Sequence, residues 1–91
     1  MTNPESATQD LALVDLPIGV SARIVSIDPS HRPALARRGI RPDVVVEVED
    51  DAPFGGPRII RLGFARLAIA RVVARAIRVR GESGDAAEAS R

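Results

Sequence analysis

Short stretches in which apolar residues alternate with polar ones recur along the chain, separated by Pro and Gly. The clearest are residues 21–27, 44–49, 58–62, 65–70 and 76–80. Alternation with a period of two, in segments rich in β-branched residues, is typical of strands with one buried face. We therefore predict five short strands, with a core that includes Ile24, Val46, Ile60, Leu67, Ile69, Ile77 and Val79.

Helical patterning is confined to one brief segment and one further turn. Ser30 is a candidate helix cap, Pro33 fits a first turn, and Gly39 is a stop signal. A single helical turn is also predicted over 71–75. Five strands and one short helix in so small a domain predict an all-β fold, a small five-stranded SH3-like barrel, because closure protects the strand edges.

A two-residue link, Gly63-Phe64, joins the third and fourth predicted strands. Gly in the first central position is typical of a type II′ turn, so these strands are predicted to form a hairpin. Pairing across the turn places Arg61 and Arg66 together on the outer face, opposite the face that carries Ile60.

The segment 50–57, DDAPFGGP, contains two Pro and two Gly and is predicted to be a loop. Phe54 in this loop and Phe64 in the hairpin are the only aromatic residues of the chain. Aromatic side chains on loops are candidate anchors for a protein partner, and the alternative is that they pack over the barrel ends. The candidate partner-binding residues are Phe54, Gly55, Gly63 and Phe64, followed by Arg61 and Arg66.

Both ends of the chain are poor in apolar residues. Disordered tails are predicted over 1–12 and 81–91, on either side of one domain over 13–80.

The net charge is only +1, yet residues 16–80 contain 12 Arg and six acidic residues. Every basic residue is Arg, and Ala and Val are abundant. This composition fits codon bias and an ordinary solvated face as well as a binding face.

Several chemistries are excluded by composition. The chain has no Cys and one His, so disulfides, thiolate metal sites and two-His sites within one chain are absent. His31 is more simply interpreted as a surface or capping residue than as a metal ligand. Glu49, Asp50 and Asp51 lack the spacing of a cation loop and are interpreted as a solvated strand end. No catalytic residue, no metal site and no tightly bound cofactor is predicted, with at most weak association of ferrous iron.

The location and partners follow from what the sequence lacks. No signal peptide and no apolar run near the ~20 residues of a membrane span are present. We therefore expect a soluble cytoplasmic protein without membrane insertion. Nucleic acid is not the expected partner, because aromatic stacking platforms are missing beside the arginines.

Four segments, in order, resemble the ferrous-iron transport protein A (FeoA) family. They are LVDLPIGVSARIVSI, LARRGIRPDVVVEV, APFGGP and IIRLGFARLAIARVVARAIRV, which together cover about 13–80. They resemble the family's Leu-Pro-x-Gly opening, its short helix and Gly-x-x-Pro turn, its Ala-Pro-x-Gly-x-Pro loop, and its hairpin and closing strand. Three positions depart from the pattern: Arg38 replaces a Leu, Asp43 replaces a Gly and is expected to favour a type I turn, and the hairpin glycine comes early as Gly63.

The resemblance implies an SH3-like domain with an accessory role in ferrous iron uptake. The implied partner is the membrane permease that carries a cytoplasmic G-protein domain, and no enzymatic activity is implied. Two alternatives stay open. The domain also resembles the C-terminal module of iron-dependent repressors, which would contact a DNA-binding partner. A stand-alone nucleic-acid-binding barrel would show strongly salt-dependent retention on DNA.

Overall fold

A computed structural model describes residues 10–81. Of the predicted tails over 1–12 and 81–91, residues 1–9 and 82–91 lie outside the described residues. The described chain forms one antiparallel sheet with the strand order β1-β6-β2-β3-β4-β5. The strands are β1 (Leu11–Ala12), β2 (Ser21–Ile27), β3 (Val45–Asp51), β4 (Arg58–Leu62), β5 (Ala65–Ile69) and β6 (Ile77–Gly81). The described part of the chain therefore has six strands, one more than predicted.

The additional strand is β1, in a segment that the sequence pattern assigns to a disordered tail over 1–12. That boundary is wrong, because Leu11 pairs with Val79 of β6. Just before β1, the Asp10 carboxylate accepts a hydrogen bond of 2.9 Å from the Arg80 guanidinium. A two-residue strand is too short to show alternation, so its position is set by pairing with β6.

Four short helical segments connect the strands. They are the α-helices α1 (Arg32–Arg37) and α2 (Arg71–Ala74) and the 3₁₀ helices Leu13–Asp15 and Pro29–His31. Asp28 caps the 3₁₀ helix Pro29–His31, because its carboxylate accepts a hydrogen bond from the Ser30 backbone N–H at 3.3 Å. Ser30 therefore lies inside that helix and is not the predicted cap, and α1 begins after His31 without a side-chain cap. Gly39 ends the helical segment with a φ of 87°, as predicted.

The β4–β5 hairpin has the predicted register. Leu62 lies opposite Ala65, and Arg61 lies opposite Arg66. Gly63 has a φ of 62°, whereas Phe64 is not among the residues with positive φ. A positive φ at the first central residue alone is the pattern of a type II′ turn, which confirms the predicted turn.

The core lies inside the curled sheet and is almost entirely aliphatic. Six of the seven predicted core residues are buried, and Leu67 is only partly buried and packs against the others. The first 3₁₀ helix and the segment after α1 add further buried side chains. The largest fully buried side chains are Leu13, Leu16, Ile24, Ile40, Val46, Val48, Ile60, Ile69, Ile77 and Val79.

The turn that leads into β3 differs from the expected type I. Asp43 has a φ of 79°, and the Val44 N–H donates to the Arg41 carbonyl at 3.3 Å. A positive φ at the third residue of the turn defines type II, the geometry usually provided by Gly. The expectation is wrong because backbone pairing with β2 fixes this residue: the Asp43 N–H donates to the Ile24 carbonyl at 2.7 Å. The Arg23 side chain also donates to the Asp43 carbonyl at 3.0 Å.

Candidate functional site

The first candidate site is the loop between β3 and β4, residues 52–57, here called the Phe54 loop. The predicted loop began two residues earlier, but Asp50 and Asp51 belong to β3. The loop is closed by hydrogen bonds from the Ala52 N–H to the Pro57 carbonyl (2.9 Å) and from Gly56 to Pro53 (3.1 Å). These bonds give the loop a single defined turn at its tip.

Phe54 lies at that tip in an unusual conformation. Its φ is 59°, and that of Gly55 is 73°. Positive φ at both central residues is the pattern of a type I′ turn, which favours Asn, Asp and Gly. A Phe in this region is destabilised by about 1–2 kcal/mol. The Phe54 side chain is also fully exposed, so no packing within residues 10–81 offsets this strain.

A buried arginine stabilises the base of the Phe54 loop. Arg58, the first residue of β4, is only 4% exposed. Its Nη1 donates to the carbonyls of Leu13, Val14 and Leu16 at 2.9, 2.9 and 2.7 Å. Its Nε and Nη2 donate to the Asp51 carboxylate at 2.6 and 3.3 Å. The guanidinium thereby joins the first 3₁₀ helix to both ends of the Phe54 loop.

A second arginine completes this support. Arg71 donates from Nε to the Gly56 carbonyl at 3.1 Å, and its Nη2 lies 3.5 Å from the Asp51 carboxylate. The hydrogen bond from Arg58 and the charges of both arginines lower the pKa of Asp51, against the opposing effect of desolvation. We call Asp51, Arg58 and Arg71 the Asp51 clamp. It holds the Phe54 loop in one conformation.

The second candidate site is the hairpin tip at Gly63-Phe64. The Phe64 ring is fully exposed, and so is that of Phe54. The alternative hypothesis that these rings pack over the barrel ends is therefore wrong. The two rings are at opposite ends of β4, and five extended residues span about 17 Å. Phe54 with Gly55 and Phe64 with Gly63 thus form two separate surfaces.

Arg61 and Arg66 lie between these surfaces on the outer face of the hairpin, as predicted. Glu49 lies 3.2 Å from Arg61 and 2.8 Å from Arg66, and Glu47 is 3.2 Å from Arg61. Two arginines are therefore matched by two glutamates, and the face is not a free basic patch. Glu49 and Asp51 are likewise paired with arginines, which differs from the solvated strand end that the sequence predicts.

A small groove between α1 and the end of β5 was not predicted. It has a volume of about 260 Å³, with Leu35 and Ile69 in its apolar lining and His31 and Arg38 among the polar lining residues. Arg38 donates to the Ala68 carbonyl at 3.4 Å. His31 therefore lies beside an apolar groove, and within residues 10–81 it belongs to no group of three or more potential metal ligands.

Between residues 10 and 81, no three His, Cys, Asp or Glu side chains are grouped so that they could hold a metal ion. The expectation of no tight metal site stays a prediction. No helix in the same range is long and apolar enough to cross a membrane.

The class of protein follows from this architecture. A small curled antiparallel β-sheet around one aliphatic core defines a small β-barrel domain. The FeoA domain model matches residues 11–81, and the chain therefore belongs to the FeoA domain family. The resemblance recognised in the sequence is confirmed.

Comparison with solved structures supports the same assignment. The chain is 29% identical to an iron uptake regulatory protein, FeoA, over 80% of this chain and 97% of that one, with a TM-score of 0.71. A FeoA from Stenotrophomonas maltophilia, solved with zinc and described as an SH3 domain protein, is 24% identical over 76% of this chain and 88% of that one, with a TM-score of 0.66. The predicted SH3-like fold is confirmed.

A third structure shows the fold alone. A manganese-dependent transcriptional repressor is 22% identical over 81% of this chain, with a TM-score of 0.73, and the matched region is 42% of the repressor chain. Comparison with curated proteins finds no significant match.

Arg71 and Arg58 are clamp residues that the sequence pattern did not identify, and a signal was available for Arg58. It is separated from Ile60 by two positions, so the alternation that places Ile60 inward places Arg58 inward as well. An arginine at an inward position requires partners, because a buried charge is otherwise strongly unfavourable. An arginine at an inward-facing strand position is therefore the sequence feature that could have identified Arg58.

Proposed function

We propose that this protein is a non-enzymatic accessory module for ferrous iron uptake. It acts in the cytoplasm and docks on the cytoplasmic part of the membrane ferrous iron permease, the part that carries the G domain. Docking modulates the activity or assembly of the permease. The observation that carries the proposal is Phe54, an exposed aromatic residue in a strained conformation on a clamped loop.

Phe54 contributes nothing to the stability of the fold that would explain its presence. The ring is fully exposed and its backbone is strained. Burial of such a ring against a partner is worth about 1.5–3 kcal/mol. Because the Asp51 clamp already fixes the loop, little additional conformational entropy is lost on binding. Backbone strain held in place by surrounding structure is characteristic of functional sites.

The nature of the partner comes from the family. The FeoA domain covers the whole described fold, and the structural neighbours are described in terms of iron uptake regulation and ferrous iron transport activation. Phe64, Gly63 and the Arg61–Arg66 face are assigned to a second contact with the same partner. A partner that reaches both rings extends along β4, over about 17 Å.

The test measures binding of the full chain to the purified cytoplasmic domain of the permease from the same organism. Phe54→Asn removes the ring and introduces a residue that tolerates positive φ. We expect a loss of affinity of about 30-fold, which corresponds to a hot-spot residue, without a decrease in the melting temperature. Val72→Ala is the matched control, because Val72 is an exposed apolar residue on α2.

Phe64→Ala is measured in parallel. A weaker effect than that of Phe54→Asn would make the hairpin tip a secondary contact. Unchanged affinity in both well-folded variants would overturn the assignment of the two loops. The next variant would then be Arg61→Ala combined with Arg66→Ala.

The likeness to the repressor favours a second candidate, a regulatory module that contacts a DNA-binding partner. This candidate predicts that the purified chain binds a cellular repressor and shows no affinity for the permease domain. A third outcome, retention on duplex DNA that falls steeply with salt, would indicate direct nucleic-acid binding.

A further inference from the structure

The arginines of residues 10–81 differ in how they are neutralised. Arg58, Arg61, Arg66, Arg71 and Arg80 form ion pairs with acidic side chains of the described residues. Arg32, Arg75 and Arg78 line one groove of about 440 Å³ and make no ion pair with any described acid. We call this feature the arginine groove. It is on a part of the fold that the proposed docking loops do not use.

The groove is built from segments that are far apart in the sequence. Ser26 of β2 lies opposite Arg78 of β6, directly after a register shift between Ile24 and Ser26. Such a bulge redirects side chains and is common beside binding sites. The Asp28 N–H donates to the Ala76 carbonyl at 2.9 Å, which joins the turn before α1 to the turn after α2. The walls of the groove are therefore held together by the backbone.

One of the three guanidinium groups is already oriented. Arg32 Nε donates to the Ile27 carbonyl at 3.1 Å in a partly buried contact. Its Nη groups have no partner among residues 10–81. A guanidinium fixed through Nε retains two parallel donors, the arrangement that binds two oxygens of one anion. Orientation before binding reduces the entropy lost when a ligand is captured.

The charge of the groove defines the ligand. Arg32, Arg75 and Arg78 provide three positive charges, and Asp28 in the same lining provides one negative charge. The Asp28 carboxylate already accepts a hydrogen bond from the Ser30 N–H. The remaining two positive charges match a phosphate monoester, which carries about −1.5 to −2 at pH 7. The Ser26 hydroxyl supplies a further donor.

We propose that the arginine groove binds a phosphate monoester, independently of docking to the permease. The three positive side chains line one open groove, so their charges act together on a single compact dianion. Aromatic residues for base stacking are also absent from the groove lining. The phosphate can belong to a small soluble molecule or to the headgroup of phosphatidic acid, and the test separates the two.

The first measurement is an NMR titration of the full chain with inorganic phosphate, at constant ionic strength adjusted with chloride. The amide signals of Ser26, Ala76 and Arg78 should shift saturably. The double variant Arg75→Gln, Arg78→Gln should weaken phosphate binding by about tenfold or more, because charge-assisted hydrogen bonds are lost.

The control is the double variant Arg37→Gln, Arg41→Gln, which removes the same charge from exposed positions on and after α1. It should keep the affinity for phosphate within about twofold, since neither residue lines the groove and exposed charges are screened by salt. Equal weakening in the two double variants would overturn the proposal, because the effect would then be one of net charge. The absence of a saturable shift with phosphate would overturn it as well.

The source of the phosphate is identified with two further probes. AMP that binds more tightly than inorganic phosphate would support a soluble ligand. Sedimentation with vesicles of phosphatidylcholine and phosphatidic acid, lost in Arg75→Gln, Arg78→Gln, would support a headgroup. Binding of duplex DNA without any phosphate or AMP binding would contradict the proposal and favour a nucleic-acid surface.

Discussion

Replacement of Arg58 by Met is the most direct test of how the candidate docking loop is held in place. The guanidinium is 4% exposed and satisfies three backbone carbonyls as well as the Asp51 carboxylate. A buried acceptor without a partner costs about 1–3 kcal/mol, and the loss of one member of a buried ion pair costs about 3–5 kcal/mol. Asp51 itself is 30% exposed, so water partly compensates its loss.

We therefore expect Arg58→Met to lower the free energy of unfolding by about 3–4 kcal/mol. This is a large share of the roughly 5–14 kcal/mol expected for a chain of this size. Urea denaturation at pH 7 measures the change, and the m-value reports whether the folded state stays compact. Arg58→Lys keeps the charge but not the planar donors, so its free energy of unfolding should lie between those of Arg58→Met and the wild type.

The control is Arg61→Met, because the Arg61 side chain is 50% exposed and its ion pairs are on the surface. Exposed pairs contribute about 0–1 kcal/mol. If Arg58→Met destabilises the protein no more than Arg61→Met does, the buried guanidinium does not hold the loop, and Phe54 is not preorganised by the Asp51 clamp.

Three further predictions concern stability. Asp43→Gly should raise the melting temperature by a few degrees, because about 1 kcal/mol of positive-φ strain is relieved; a lower melting temperature would contradict the type II turn. Asp51→Asn should destabilise the protein at pH 7. Since the native pKa of Asp51 is lowered, the stability difference between the wild type and Asp51→Asn should shrink as the pH falls below about 4. Urea midpoints of the two proteins that differ equally at pH 7 and pH 3 would contradict this prediction. Leu67→Ala should cost about 1–2 kcal/mol by urea denaturation, less than Ile60→Ala at about 2–5 kcal/mol, because Leu67 is only partly buried.

The parts of the fold that depend on local pattern could be predicted from the sequence. Alternation locates β2 to β6 to within about two residues, and Gly63 specifies the hairpin and its register. The turn at Asp43 could not be predicted from propensity. Asp ordinarily fits a type I turn, but the Asp43 N–H donates to the Ile24 carbonyl at 2.7 Å, so pairing with β2 selects the backbone conformation.

The candidate sites likewise have features that the sequence predicts and features that only the structure shows. The sequence places Phe54 and Phe64 on loops, because Pro and Gly surround one and a two-residue turn contains the other. The strain at Phe54 is visible only in the structure, since it depends on closure of the turn between Pro53 and Gly56. The arginine groove combines residues of β2, α1, β6 and the turn after α2, and no local pattern links positions so far apart.

The position of β1 beside β6 gives the domain a modular layout. Leu11 lies opposite Val79, so the chain enters and leaves the sheet at neighbouring points. A short linker between residues 10 and 81 could therefore produce a circular permutant, with new termini opened at the Gly63-Phe64 tip and every strand intact. The same layout suits a domain that is inserted in, or appended to, a larger protein. It gives a physical reason why the fold also occurs as 42% of a much longer repressor chain.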